Sequence, residues 1–270
     1  MISNENLGIT AIIPTFQSEK VITRALISVL AQTCPVDQII VIDDASSDQT
    51  VSVVRIFATG HPQIKILVNT KNLGPGPTRN IAWDSAKTEF IAFLDADDTW
   101  HPDKLETQIN WFKRHPDAAI CGTQHCIIDK PYGNNNPDET SVFSLKNLLR
   151  RNRFSTPSVM LRRDITPRFS SELRLSEDYL LWMEIAAKYG HVSRINKPLT
   201  ILHKPAFGAS GLSGKIFAMY LGETKALRIL YTKRSISFLT VTSAHVWSTT
   251  KLLRRLPLAL ARKFTSKLND

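Results

Sequence analysis

Three carboxylates stand within four residues at Asp95-Ala96-Asp97-Asp98, directly after the apolar run Phe90 to Leu94. So close together they repel one another unless a cation sits among them, and their hard oxygens suit Mg2+ or Mn2+. Taken alone, the segment also reads as a solvated acidic turn. A second acidic pair, Asp43-Asp44, ends another apolar run and is followed by Ala45, Ser46, Ser47 and Asp48. Ser46 or Asp48 suits the cap of a following helix, which leaves Asp44 free to accept hydrogen bonds from a ribose or base. The stretch Asn72 to Asn80, NLGPGPTRN, has glycines that permit close backbone approach, and it opens a helix whose N-terminus attracts anions. It is not the dinucleotide fingerprint, because it follows the wrong strand and lacks the final glycine spacing. Arg79 in the first helical turn opposes the macrodipole, which points to an anionic ligand or to Asp95 or Asp97 as its partner. Glu177 and Asp178 begin a later helix whose Tyr179, Leu181 and Trp182 turn it inward, aiming one carboxylate at a cleft. Simple pairing with the helix dipole is the other reading of that pair.

The elements that position these residues alternate. Ile9 to Pro14, Gln38 to Ile42, Ile64 to Val68 and Phe90 to Leu94 read as buried strands. Val21 to Ala31, Thr50 to Ala58 and Thr78 to Ala86 read as amphipathic helices between them. Such alternation predicts a parallel, doubly wound sheet, with ligands beyond the carboxyl ends of the strands. Thr15, Asp43 and Asp44, Asn69 to Asn72, and Asp95 to Asp98 all fall there. A helix over Lys104 to Arg114, an apolar run over Ala118 to Ile128, helices at Leu145 to Arg151 and Glu177 to Tyr189, and a short strand at Leu199 to Leu202 follow. Asp129 to Thr140 reads as an exposed loop, and Pro205 to Gly214 as a hinge. Helices are expected over Ile216 to Tyr231, Ile236 to Leu253 and Leu258 to Phe264, the last started by Pro257.

Ile13-Pro14-Thr15-Phe16, Asp43 to Asp48, Asn72 to Asn80, Asp95 to Asp98 with Pro102 and Leu105, and Ser176-Glu177-Asp178 with Trp182 together resemble the family-2 glycosyltransferases, in that family's order and spacing. The resemblance spans residues 8 to 205. It implies an α/β fold of GT-A type, a Rossmann-like doubly wound mixed sheet, here followed by C-terminal amphipathic helices. It further implies a nucleotide-sugar donor, with UDP favoured, a divalent cation, Mn2+ or Mg2+, and inversion at the anomeric carbon. By the same resemblance Pro14 and Thr15 line the base pocket, Asp44 contacts the nucleoside, and Arg79 lies near the base or phosphate. Asp95 faces the ribose or donor sugar, Asp97 ligates the metal, and Asp178 is the catalytic base. His203 stands where such enzymes offer another metal contact, although Leu202-His203-Lys204 departs from the family's usual stretch and a structural histidine is the alternative. The acceptor implied is a glycan or lipid-linked hydroxyl in bacterial surface polysaccharide synthesis. The chemistry is coherent in its own right: a metal stabilises charge on the departing phosphate, and a carboxylate takes the proton of the attacking hydroxyl.

The 270-residue chain, 43% hydrophobic and 21% charged, has the composition of a globular protein with a real core. No run reaches the length of a membrane span, the first eight residues lack a signal pattern, and three cysteines fit neither a disulfide framework nor a zinc site. Those features point to the cytoplasm. The net charge of +10 is uneven, because six lysines and five arginines against two acids put +9 beyond residue 214. This divides the chain into a transferase domain, 8–205, a hinge, 206–214, and a basic helical appendage, 215–270. In the appendage basic residues interleave with Trp247, Leu252, Leu253, Leu256, Leu258, Leu260 and Phe264, the pattern of an interfacial anchor on an anionic membrane. A helix pair packed on the catalytic domain is the competing reading. A second basic concentration, Arg150 to Arg168, suits an acceptor's phosphates. Nucleic acid is not expected as a partner, since no recognition motif accompanies the charge. Two rival functions share some of these residues. One is a haloacid-dehalogenase-like phosphohydrolase built on Asp95, Asp97 and Thr99, against which three strands precede the motif; the other is a glycosyltransferase-like membrane scaffold without turnover.

Overall fold

The computed structural model describes residues 8–128, 139–203 and 216–266, the last stretch beyond residue 254 as backbone only. Residues 129–138 of the loop expected over Asp129 to Thr140 and the hinge expected over 206–214 lie outside the described residues, while Thr140 opens a strand. The elements run β1 (Ile9–Thr15), α1 (Ile22–Leu30), β2 (Gln38–Asp43), α2 (Thr50–Ala58), β3 (Ile64–Val68), α3 (Pro75–Ser85), β4 (Phe90–Phe93), β5 (Thr99–Trp100), α4 (Lys104–Arg114), β6 (Ile120–Ile127), β7 (Thr140–Phe143), α5 (Leu145–Arg150), a 3-10 turn (Thr156–Ser158), β8 (Val159–Arg162), α6 (Glu177–Tyr189), β9 (Val192–Leu202), α7 (Ile216–Thr232) and α8 (Phe238–Ser266).

One sheet carries the fold, in the order β3-β2-β1-β4-β8-β6-β9-β5, with β7 paired to β9. The first four strands are parallel, β8 joins antiparallel, and β6 and β9 pair in parallel. This is the mixed, doubly wound sheet that the alternation implied. Period-two geometry sends alternate residues to opposite faces. Ile9, Ala11 and Ile13, with Ile39, Val41, Phe90 and Ala92, meet α1, α2 and α4 on one side. Ile12, Ile40, Ile42, Ile91 and Phe93 meet α3, α6 and α7 on the other.

Three departures from the sequence reading have local causes. The strand expected at Leu199 to Leu202 is the end of an eleven-residue strand, β9, whose pairing with β6 shifts register around Gln124 and Pro198. That irregularity breaks the alternation by which the full strand would be seen. The third helix starts earlier than Thr78, at Pro75, where proline's fixed φ and missing N–H suit the first turn. The two helices expected to meet at Pro257 are one, α8, because a proline removes a single backbone bond without being obliged to end a helix.

α7 and the first part of α8 share the main core. Ala226, Leu227 and Leu230 are buried with Leu180, Met183 and Trp182 of α6. Gly222 lets α7 come so close to the carbonyl of Leu175 that an added Cβ would stand 2.7 Å from that oxygen.

Candidate active site

The carboxyl ends of β1, β2 and β3 are level, with Thr15 beside Asp43 and Asp43 beside Val68, while β4 ends at Phe93 beside Ile12. Asp43 ties the first two together. It accepts from Thr15 Oγ1 at 3.1 Å and from the Ser46 backbone and hydroxyl at 2.8 and 2.6 Å. Ser46 Oγ in turn accepts from Gln17 N. Asp48, rather than Ser46, holds the start of α2, accepting from both the backbone and the hydroxyl of Thr50.

Asp44 is not free, contrary to the sequence expectation. Its carboxylate accepts from Asn69 Nδ2 at 2.9 Å, Leu73 N at 2.9 Å and Gly74 N at 2.8 Å. Backbone amides at the start of α3 need an acceptor, and Asp44 supplies it. It therefore shapes the 69–74 loop as well as lining the cavity.

Arg79 is buried at the centre of the site. It donates to Asp95 Oδ1 at 2.6 Å and to Glu177 Oε1 at 3.2 Å, and its guanidinium lies 5.4 Å from the Phe169 ring centroid. Burial opposes its charge, but Asp95 and Glu177 outweigh that and hold it protonated. The anionic partner that the helix start implied is thus Asp95, joined by Glu177. Gly76 makes this possible, since a Cβ there would come within 3.2 Å of Glu177 Cγ and 3.3 Å of Phe169 Cβ.

Asp178 accepts from Thr156 Oγ1 at 3.4 Å and from Tyr179 N at 2.7 Å. Burial, above all, raises the pKa of both Glu177 and Asp178; the charges of Asp178 and Asp95 add to the rise at Glu177, that of Asp95 adds to it at Asp178, and Arg79 works against both. The pair enters α6 through Ser176, whose φ of 63° is left-handed and costly for a residue with a Cβ. Gln17 and Ala45, at the ends of β1 and β2, also have positive φ. Strain gathered on the loops of one cleft is a mark of function. The turn bearing Thr156 is anchored from behind. Trp100 Nε1 donates to Pro157 O, and buried Gln108 donates to Cys121 O and Ser158 O while accepting from Lys104 Nζ. Burial pushes Lys104 down to about 7, and its Nζ lies 4.2 Å from the Trp100 ring centroid.

On the acidic loop, Asp97 offers its carbonyl to Arg24 at 2.6 Å, and Asp98 Oδ1 accepts from His203 N at 3.1 Å. The His203 ring is paired with Thr99 Oγ1 at 2.9 Å. Among the described residues no three His, Cys, Asp or Glu side chains form a metal-binding group. Mg2+ and Mn2+ in phosphoryl sites use one or two protein carboxylates and take the remaining oxygens from the substrate, so Asp97 beside Asp95 fits such an ion.

A cavity of about 850 Å3 lies over these strand ends. It brings together Pro14, Thr15, Asp44, Arg79, Asp95 and Asp97, while Asp178 and His203 are not among its lining residues. Lys20 and Arg174, which sequence reasoning passed over, also line it. Arg174 stands two residues before Ser176, and that adjacency was the available signal. The model of glycosyl transferase family 2 matches residues 10–168, more than half of the chain. The chain belongs to glycosyl transferase family 2. This glycosyltransferase is 33% identical over 194 residues to the UDP-Glc:alpha-D-GlcNAc-diphosphoundecaprenol beta-1,3-glucosyltransferase of Escherichia coli, covering 70% of this chain and 73% of that one. It is 29% identical over 195 residues to the succinoglycan biosynthesis protein ExoO of Rhizobium meliloti, covering 64% and 54%. Among solved structures, Staphylococcus aureus TarS 1–349 with UDP-GlcNAc superposes with a TM-score of 0.68 at 22% identity, covering 96% of this chain and 76% of that one. The mannosyltransferase PcManGT of Pyrobaculum calidifontis with GDP-Man and Mn2+ gives 0.68 at 20% identity, covering 97% and 75%. Those likenesses establish the GT-A glycosyltransferase fold across almost the whole glycosyltransferase, C-terminal helices included. The phosphohydrolase reading of Asp95 to Thr99 is thereby set aside.

Proposed function

We propose that this glycosyltransferase moves a sugar from a UDP-sugar, with inversion, to a hydroxyl of a lipid-linked glycan in the assembly of a bacterial surface polysaccharide. The observation that carries the reading is Arg79, which couples Asp95 of the donor cavity directly to the Glu177-Asp178 pair at the start of α6. Donor and acceptor chemistry thus meet at one guanidinium. Pro14 and Thr15 frame the base, Asp44 holds the loop against the nucleoside, and Asp95 faces the ribose or donor sugar. Lys20 and Arg174 are the cavity's further cations for the diphosphate. Asp97, together with His203 oriented by Thr99 and Asp98, would hold Mn2+ or Mg2+. When bound, such an ion stabilises the charge of the departing diphosphate. Asp178, raised above the ordinary carboxylate range by burial, takes the proton from the attacking acceptor hydroxyl. One displacement, with no protein nucleophile needed, inverts the anomeric carbon.

Residues 8–205 carry this chemistry, and the basic helical region 215–270 braces it and meets the membrane. No helix among the described residues is long and apolar enough to cross a membrane. Leu239, Val246 and Leu253 of α8 are 79%, 65% and 62% exposed. Seven-residue spacing puts them on one outward face of the helix, which the surrounding positive charge directs to an anionic inner leaflet. A Leu239→Glu/Leu253→Glu variant is expected to lose binding to anionic vesicles; retention would refute the membrane contact. The donor reading is tested by a thermal-shift panel of UDP-, GDP- and dTDP-sugars with and without Mn2+, beside Asp97→Ala. A metal-dependent rise with UDP-sugars that vanishes in the variant supports it, and no shift with any donor overturns it.

A further inference from the structure

A second cavity, of about 920 Å3, runs between α5 and α8 and is lined by Leu145, Leu149, Ile236, Ala244 and Trp247, with Lys146 and Arg150 on its α5 side. None of its lining residues is acidic. Trp247 fixes its width, since Nε1 donates to Arg150 O at 2.9 Å while 43% of the residue remains exposed. Ser235, Ser237, Thr240 and Ser243 complete the lining, and a channel that is part apolar and whose only charged residues are cations suits an amphiphile with an anionic head.

The cationic edge continues toward the chemistry. From Arg150 the chain passes through exposed Arg151 and then Arg153, whose guanidinium lies 5.3 Å from the Phe143 ring centroid and whose buried Nε has no hydrogen-bond partner. Three residues on is Thr156, the hydroxyl that donates to Asp178. The other wall of α5 is equally near, because Tyr179 Oη, from the residue after Asp178, donates to Leu148 O. His125, which hydrogen-bonds Ser155, has its pKa lowered by burial first and then by Arg194 and Arg151.

We propose that the groove between α5 and α8 is the acceptor's lipid site, with a prenyl chain lying on Leu145, Leu149, Ile236 and Trp247 and its diphosphate held by Arg150, Arg151 and Arg153. This rests on the reading that the acceptor is lipid-linked. The arrangement gives the sugar beyond the diphosphate a route along residues 153–156 to Asp178, and it opens the chain end toward the membrane-facing side of α8.

The test uses the full-length protein in chelator, without metal, and farnesyl diphosphate as the probe, followed by titration calorimetry and by quenching of tryptophan fluorescence. Farnesyl diphosphate is expected to bind about tenfold more tightly than farnesol and than inorganic diphosphate. Arg150→Glu/Arg151→Glu is expected to weaken it about tenfold with an unchanged melting temperature, and Trp247→Phe to abolish most of the quench. Equal binding of farnesol, equal binding of inorganic diphosphate, or an unaltered affinity in the arginine variant overturns the proposal. The same preparations are then given UDP-sugar and Mn2+. A donor shift in protein that ignores farnesyl diphosphate defeats the groove alone, whereas no donor shift in the wild type defeats the UDP-sugar reading on which it rests.

Discussion

Gly222 on α7 has no part in any chemistry, yet replacing it with alanine is predicted to damage turnover. The added Cβ would stand 2.7 Å from Leu175 O, and 3.2 Å from Leu175 C and Ser176 Oγ, where ordinary contact begins at 3.4 Å. Something must move by about 0.7 Å, the difference between 3.4 and 2.7 Å. α7 resists, because Ala226, Leu227 and Leu230 are locked in the core and Lys225 Nζ donates to Glu172 O at 2.8 Å. The other side is the strained Ser176 backbone that launches Glu177 and Asp178. Overpacking of this kind costs about 1–3 kcal/mol, and alanine's helix propensity returns up to about 1, so the net loss is about 1 kcal/mol and a few degrees in Tm. Turnover is far more sensitive, since a misplacement of about 1 Å at a reacting group costs about a hundredfold. We therefore expect Gly222→Ala to lower kcat by about tenfold to a hundredfold, and to raise the KM for donor less, through Arg174, which adjoins Leu175 and lines the donor cavity. Initial rates beside a melting curve measure both. Gly60→Ala is the control, since its Cβ meets nothing within 4 Å. A Gly222→Ala enzyme with kcat within about twofold of wild type and the same Tm would refute the idea that α7 positions the catalytic pair.

Arg79→Met leaves Asp95 and Glu177 without their shared cation, and urea unfolding is expected to report a loss of about 3 kcal/mol, moderated by the partial exposure of Asp95. A loss under about 1 kcal/mol would mean that water replaces the arginine at little cost. Asp178→Asn removes the base while keeping the Thr156 contact, so kcat is expected to fall by about a hundredfold to ten-thousandfold with donor binding retained in the thermal-shift assay. Because burial raises Asp178, kcat/KM is expected to fall on acidification through an apparent pKa above the ordinary carboxylate range, and a profile flat down to about pH 4 would refute that. For Glu177 the folded value, about 7, lies above the unfolded 4.5, so the folded state holds the extra proton between them. Stability of wild type relative to Glu177→Gln must then decline as pH rises from 4.5 to about 7; a constant difference in urea midpoints would contradict the buried, raised carboxylate.

Residue order alone determined the parallel half of the sheet, because strands buried on both faces are written as unbroken β-branched runs and their carboxyl ends collect the polar residues between runs. Thr15, Asp44, Asp95 and Asp97 were legible for that reason, and Arg79 from its place against the helix dipole, and they line one cavity. The antiparallel half was not legible: β7 and β8 have four residues each, β5 has two, and the alternation of β9 is broken by its register shift. Short strands hold their place by pairing with partners distant in sequence, which no local pattern records. What each carboxylate does was equally invisible. Asp44 looks free in the sequence and is engaged by two loop amides and Asn69, while Glu177 looks like a dipole partner and is the second anion on Arg79. The amphipathic pattern of residues 247–267 left two readings open, interfacial anchor or packed pair. Tertiary structure joined α7 and the start of α8 to the main core through Gly222, because only the folded chain brings that helix against the Leu175 carbonyl. The sequence sets which residues can carry charge and where strands end; which charges neutralise one another is decided by contacts across some hundred residues of chain, such as Arg79 with Glu177.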